Sequence, residues 1–326
     1  MRWILNKVKY ILLIIFLIIG LSVLIFSIKF YKAAKIVEIG WEQSQVDTIK
    51  DVGSIKSLSI IPLVESNTKS DNLIGEPGVS YLIKADGKNI LFDLGWNMKK
   101  EEQSPLLKNM DELGVTLNQI NSIFISHNHP DHTGGKGIKG SFALSEDDIK
   151  LTGVRAYIPL EMTHESASVE VIKEPKKIVK GIVSIGPISR AIWLAGIVEE
   201  QSLAINLEGK GIVLIVGCGH PSIERIVKRA EDLFAQPIYG VIGGLHYPIT
   251  NPVTLKSIGQ KILGPKYPWQ RYKKSEVKGA IRLLTEKDLK VVGISSHDSC
   301  DWTIKQFRDS FDEKYREVVV GEEIKF

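Results

Sequence analysis

The sequence predicts an α/β domain attached to a membrane by one N-terminal helix, and three patterns carry that prediction. The first is an uncharged run, YILLIIFLIIGLSVLIFSI, from Tyr10 to Ile28. The second is a series of short Ile- and Val-rich segments bounded by turn residues, beginning near Ser57. The third is a change of rhythm: strand-like segments cluster first and then alternate with helical ones, as expected for sheets with helices on their outer faces.

At a rise of roughly 1.5 Å per residue, the uncharged run reaches about 28 Å, the hydrocarbon thickness of a bilayer. The stretch after it, KFYKAAKIVEIG, shows no small-x-small cleavage site, so an uncleaved anchor is expected rather than a signal peptide. Arg2, Lys7 and Lys9 on one side balance Lys29, Lys32 and Lys35 on the other, so the positive charges do not set the orientation. A lone N-terminal anchor is expected to leave the downstream domain outside the cytoplasm. The resulting division is a basic flank over 1–9, a single-pass anchor over 10–28, a juxtamembrane helix or tether over 29–56 and one folded domain over 57–326.

Within that domain the strands and helices follow in order. LSIIPLV reads as a strand, and VSYLIKADGKNILFDLG as a hairpin turning at Asp86-Gly87. A helix over 102–113 precedes the buried strand INSIFIS. VRAYIP, IVSIGPI and the hairpin SLAINLEGKGIVLIVG come next, then a helix over 221–234, the strand PIYGVIG, a helix over 275–286 and the strand KVVGISS. No internal repeat is evident. The formal charge is +4 with basic residues scattered along the chain, which argues against a nucleic-acid partner. Cys218 and Cys300 lie far apart and form neither a disulfide framework nor a zinc ribbon.

The stretch FISHNHPDHTGG concentrates His127, His129, Asp131 and His132 just beyond INSIFIS, in a chain with seven histidines. If the strand ends at Ser126 and the chain turns sharply, these four side chains surround a small volume suited to one or two metal ions. Imidazole and carboxylate suit zinc, the expected ion, and also manganese or iron. His220 follows GIVLIVGCG, His246 follows YGVIGGL and His297 follows VVGISS, so six histidines share one kind of position, the C-terminal end of a strand. Loops there are where a sheet assembles a site. His164, in EMTHES, has no such context and reads as a surface residue. His246 is open between ligand, substrate-binding group and orienting partner. Asp93 reads as an outer partner of the ligands. The pairs Gly134-Gly135 and Gly243-Gly244 read as turns or as places where the backbone passes close to a metal. GPKYPWQRYKK, 264–274, reads as a flap that stacks a ring and pairs with a phosphate, as a membrane-surface contact, or as a solvated loop.

SHNHPDHTGG resembles the H-x-H-x-D-H signature of the metallo-β-lactamase superfamily. GEPGVSYLIKADGKNILFDLG, VGCGHPSIERI, VIGGLH and ISSHDSC resemble the subgroup named for dihydropterin-ribofuranosylaminobenzene-phosphate synthase. The resemblance covers about 57–326. It implies an αβ/βα four-layer sandwich with the metals at one sheet edge. It also implies His127, His129 and His220 around a first metal, and Asp131, His132 and His297 around a second. Two positions depart from the family pattern: Cys218 stands where a bridging aspartate is usual, and Asp298 stands where a cysteine follows the last histidine. A Cys218 thiolate as ligand and a mononuclear site both remain open. So do a ligand role for Asp298 and its role as N-cap of a helix beginning near Asp301.

The chemistry expected is hydrolysis by a metal-activated water, with Asp131 orienting the water or taking its proton. The substrate is expected to be a small molecule, an anionic phosphoester or pterin-phosphate compound, a lactone or another acyl compound. A synthase acting on a pterin-phosphate compound and a catalytically silent, membrane-tethered sensory protein are the alternatives. Oligomeric state is not readable from the sequence.

Overall fold

The computed structural model describes residues 2–249, 260 and 263–326. Its first element, α1 (Arg2–Gln43), is one continuous helix of 42 residues. The helix contains a stretch long and apolar enough to cross a membrane by length and composition, of mean hydropathy 3.2, and none of that stretch is buried by the rest of the chain. Beyond it the same helix turns protein-facing. Phe30 and Val37 are buried, the Arg225 and Arg229 guanidinium groups stack on the Trp41 ring, and Glu38 pairs with Arg225 and Arg190.

Two sheets follow. The first has seven strands: β1 (Leu58–Val64), β2 (Ser80–Ala85), β3 (Lys88–Phe92), β4 (Ser122–Phe124), β5 (Arg155–Ile158), β6 (Ser168–Val171) and the terminal β15 (Ile324–Lys325) beside β1. The second has six, ordered β14 (Val291–Ile294), β13 (Ile238–Gly243), β12 (Gly211–Val216), β11 (Leu203–Leu207), β8 (Ile182–Ser184) and β7 (Lys176–Val179). A separate hairpin, β9 (Ile188–Ile192) and β10 (Gly196–Glu200), packs against α1. The segment IVSIGPI divides between β8 and β9 because Pro187 has no N–H to donate to a ladder. The Asp86-Gly87 turn closes β2 onto β3 with both residues at positive φ, the geometry an Asp-Gly pair favours.

Helices α2 (Pro105–Glu112), α3 (Ile223–Leu233), α4 (Lys274–Glu286) and α5 (Asp301–Phe311) complete the domain. Three apolar clusters separate four layers. Met110 and Leu106 of α2 pack with Leu82 and Leu91 on the outer face of the first sheet. Tyr81, Phe92 and Phe124 meet Ile205, Val213 and Ile242 between the sheets. Val227, Leu284 and Phe307, from α3, α4 and α5, cover the outer face of the second sheet with Leu214 and Val241. The fold is the αβ/βα sandwich. In each sheet a run of parallel pairings reaches one edge: β3–β4–β5–β6 in one, β12–β13–β14 in the other. Their C-terminal ends therefore lie along a common edge.

Candidate metal centre

Every ligand candidate follows one of those parallel strands: Asp93 after β3, the 127–132 loop after β4, Cys218 to His220 after β12, His246 after β13 and His297 after β14. The strand ends fix the backbone, and the side chains converge. Ring centroids of His127 and His220 are 5.1 Å apart, and those of His132 and His297 are 5.2 Å apart. Three groups each bring their ligand atoms within 4.8 Å of one another: His127, His129 and His220; Asp131, His132, Cys218 and His297; and Cys218, His220 and His246.

Hydrogen bonding behind the rings settles which nitrogen faces inward. The Asp93 carboxylate accepts from the Ser126 backbone N–H at 2.6 Å and from Ser126 Oγ at 2.7 Å, and it lies 2.6 Å from His132 Nδ1. With its own proton given to Asp93, Ser126 Oγ can only accept from His127 Nδ1, 2.9 Å away. The third case repeats the device with a different carboxylate. Ser295 Oγ donates to Glu65, so His297 Nδ1, 2.5 Å away, donates to Ser295. All three imidazoles are thus held with the proton on Nδ1 and the lone pair of Nε2 turned to the interior, the arrangement a metal ligand needs.

The inward atoms are arranged as a cation's ligands could be. His127 Nε2, His129 Nε2, His220 Nδ1 and His246 Nδ1 are buried with no hydrogen-bond partner among the described residues. His220 Nε2 and His129 Nδ1 are 3.1 Å apart, and Cys218 Sγ lies 3.1 Å from both His132 Nε2 and His297 Nε2. Ligands at about 2.0 to 2.3 Å around one tetrahedral ion stand about 3.3 to 3.6 Å from each other, so these spacings are close to coordination edges. Burial pushes His127 and His220 well below the ordinary imidazole range, and it pushes His129 and His246 to about 4. Neutral rings of this kind are ready ligands. Burial would also lower His132, but Asp93 and Asp131 outweigh it and hold that ring up at about 9. A cation bound there must displace its proton. Burial, reinforced by the surrounding carboxylates, raises the Cys218 thiol well above its usual value. That thiol would ionise only against a metal.

Two supporting residues escape a reading of the sequence. Glu200, buried at the end of β10, accepts from the backbone N–H groups of Cys218, Gly219 and His220 at 3.0, 2.7 and 2.9 Å, and so fixes the loop that presents two ligands. Glu65, buried after β1, accepts from Tyr81 at 2.6 Å as well as from Ser295. The available signal was an acidic residue directly after an apolar strand, where an unpartnered charge would be expelled.

Two expectations are corrected. Asp298 is not the N-cap of α5. That place belongs to Cys300, and Asp298 turns inward, its carboxylate accepting from His246 N at 2.9 Å and lying 3.9 Å from His297 Nε2. The 264–274 segment does not fold over the centre as a basic, aromatic flap. Lys266 pairs with Glu276, and Tyr267 packs on Phe30 of α1. The described residues lining the cleft of about 290 Å³ above the ligands include Pro77, Trp96, Met98 and Leu263 but no lysine or arginine. Gly134 lies in a turn, one of the two readings its sequence allows, and Gly243 ends β13. Both have positive φ, and a Cβ would meet Ala143 O at 1.8 Å and Val216 O at 1.9 Å. His164 lies in a peripheral loop, half-buried, where its Nδ1 accepts from Ser166 N and Ala167 N.

His246 is held by its backbone at φ 55 and by its side chain, whose Nε2 donates to Gln260 O at 2.9 Å. Its free lone pair is therefore on Nδ1, facing Cys218 and His220. Asp131, a quarter exposed, lines the cleft 3.8 Å from His132 Nε2.

The chain is similar to known proteins. The family model for the metallo-beta-lactamase superfamily matches residues 73–137, a span that includes Asp93 and the histidine loop. A Methanocaldococcus jannaschii protein named 7,8-dihydropterin-6-methyl-4-(beta-D-ribofuranosyl)-aminobenzene-5'-phosphate synthase is 27% identical over 243 residues, 61% of this chain and 80% of that one. An uncharacterized protein of the same organism is 30% identical over 212 residues, 57% of this chain and 79% of the other. Among solved structures, Tm1679, a metal-dependent hydrolase of the beta-lactamase superfamily, superposes with a TM-score of 0.55 at 20% identity, covering 82% of this chain and 99% of its own. The metallo-beta-lactamase fold protein YhfI from Bacillus subtilis gives 0.51 at 10% identity, covering 83% and 100%. With two facing mixed sheets, candidate ligands at the ends of their parallel strands, a family model that spans the histidine loop and relatives at these identities, the chain belongs to the metallo-β-lactamase superfamily.

Proposed function

We propose that the protein is a metal-dependent hydrolase anchored in a membrane through residues 10–28, with zinc as its metal. The observation that carries the reading is the set of unpartnered, inward-facing nitrogens of His127, His129, His220 and His246, each ring kept neutral by burial, beside His132 and His297, which Asp93 and Ser295 hold from behind. His127, His129 and His220 would hold one ion, and Asp131, His132, Cys218 and His297 a second. When bound, such ions supply Lewis-acid polarisation and lower the pKa of water toward about 7. The chain's own contribution is placement. Asp131 is the ligand-set carboxylate that faces the cleft, where it orients a water and takes its proton. His246 closes the opposite wall, its Nδ1 free to accept from a substrate or to ligate. The apolar rim of Trp96, Met98 and Leu263 excludes bulk solvent from the reacting groups.

The likeness to a synthase supports a second reading, in which the same centre positions a phosphate for bond formation. The deciding experiment is metal analysis of the purified full-length protein, followed by assay on phosphomonoesters, phosphodiesters and lactones with product identification. The hydrolase reading requires one or two metals per chain, turnover of at least one ester or lactone, and loss of both metal and turnover in His127→Ala. Metal-independent behaviour, or a His127→Ala variant like the wild type, would refute both readings.

A further inference from the structure

The point at which α1 leaves its bilayer-length apolar run is encircled by aromatic side chains from elsewhere in the chain. Phe26, near the end of that run, meets Trp193 at a ring distance of 5.6 Å, and Phe30, one turn on, meets Tyr267 edge-on at 4.8 Å. Trp269 stacks on Tyr267 at 5.0 Å and lies 6.4 Å from Trp193. These residues come from the β9–β10 turn and the segment before α4, which meet α1 beside the place where it packs on the domain. Trp269 is 59% exposed, and beside Trp193 the turn exposes Leu194 at 47% and, on β10, Ile197 at 42%. Lys29, Lys32 and Lys35 follow the apolar run on the same helix, and Arg271 follows Trp269. Amphipathic rings flanked by cations just beyond an apolar span are the composition of a membrane–water interface.

We infer that Trp193, Leu194, Tyr267 and Trp269 form an interfacial collar that seats the folded domain on the phospholipid surface, at the level where α1 emerges. The inference rests on the anchor reading given above. It brings the metal centre close to the bilayer, because one segment serves both places. A Cβ on Gly264 would lie 3.0 Å from His246 Nε2, and the three residues from there to Tyr267 span at most about 11 Å.

The test is tryptophan quenching in the full-length protein reconstituted into phosphatidylcholine vesicles carrying shallow-brominated acyl chains. The chain has six tryptophans, and Trp3→Phe, Trp193→Phe and Trp269→Phe are compared with the wild type. If residues 3, 193 and 269 sit at interfaces and emit equally, each variant loses about a third of the lipid-quenched emission, while aqueous iodide quenching of Trp269 stays low. Lipid quenching lost only in Trp3→Phe, with Trp193→Phe and Trp269→Phe like the wild type, would overturn the collar and leave the anchor standing. No lipid quenching in any form would overturn the anchor and the collar together.

Discussion

Asp93→Asn should weaken both metal positions, and the reason lies in one proton count. The substitution is close to isosteric, and asparagine tolerates the left-handed φ of 56° that this position requires. Its amide oxygen must keep the place of Oδ1, because the Ser126 backbone N–H at 2.6 Å cannot reverse. The NH2 group then replaces Oδ2 and confronts two donors, His132 Nδ1 and Ser126 Oγ. His132 can accept only by moving its proton to Nε2, the metal-facing atom. Ser126 accepts by turning its own proton away from residue 93, and where that proton points to His127 Nδ1, that ring's proton moves to Nε2 as well. Each lost outer partner costs about 10- to 100-fold in metal affinity, or about 1.4 to 2.7 kcal/mol per position. Ser126→Ala leaves the Asp93–His132 bond intact and should weaken only the position that His127 serves. Competition titration of zinc against a chromophoric chelator resolves the two steps, with the melting temperature in chelator as a control for folding. If Asp93→Asn bound two ions as tightly as wild type, or if Ser126→Ala matched it at both positions, the tautomer argument would be wrong.

Three further outcomes follow from the same geometry. Cobalt-loaded protein should show a thiolate-to-cobalt charge-transfer band in the near ultraviolet that disappears in Cys218→Ser, because Sγ is 3.1 Å from the inward nitrogens of both His132 and His297; a band that survives would place the thiol outside the coordination sphere. Burial holds Glu65 up at about 7 against an ordinary 4.5, so the folded state binds its proton more tightly than the unfolded state. Its stabilising contribution is full below the ordinary value and is lost as pH rises through about 7, a difference of about 3 kcal/mol. Urea midpoints in chelator at pH 5.5 and 8.5 should therefore converge in Glu65→Gln relative to wild type, and equal slopes in the two proteins would contradict this. Gly134→Ala should destabilise the fold by more than about 3 kcal/mol, read as a loss of soluble, cooperatively melting protein, because a Cβ would lie 1.8 Å from Ala143 O with φ at 66°.

The strands and the histidines were legible in the sequence because each obeys a local rule. Asp86-Gly87 announces its hairpin, and the histidine loop announces a ligand cluster by density alone. What was not legible depends on where the chain goes in three dimensions. Glu200 stands next to Glu199 and reads as ordinary strand polarity, yet one is buried under three backbone N–H groups of a loop eighteen to twenty residues away in sequence, while the other bonds Ser189. Asp298 reads as a cap from its spacing to α5, and only the approach of the His246 backbone shows why it turns inward. The 264–274 segment has the composition of a phosphate-binding flap, but composition does not reveal that α1 lies within reach of its rings.

The charges buried at the sheet edge argue for a cation independently of any family likeness. Glu65, Asp93, Glu200 and Asp298 are fully or almost fully buried, Asp131 lies at the cleft wall, and Cys218 stands among them. Burial raises Glu65 and Glu200 to about 7 and Asp93 and Asp298 above their ordinary values, the response expected of acids short of compensating positive charge. Burial holds four of the surrounding imidazoles neutral, while His132 is kept protonated. Yet the carboxylates face backbone N–H groups and serine hydroxyls placed to favour the ionised form. A site lined with buried acids and with imidazole nitrogens that turn inward is suited to one or two divalent cations where those nitrogens converge.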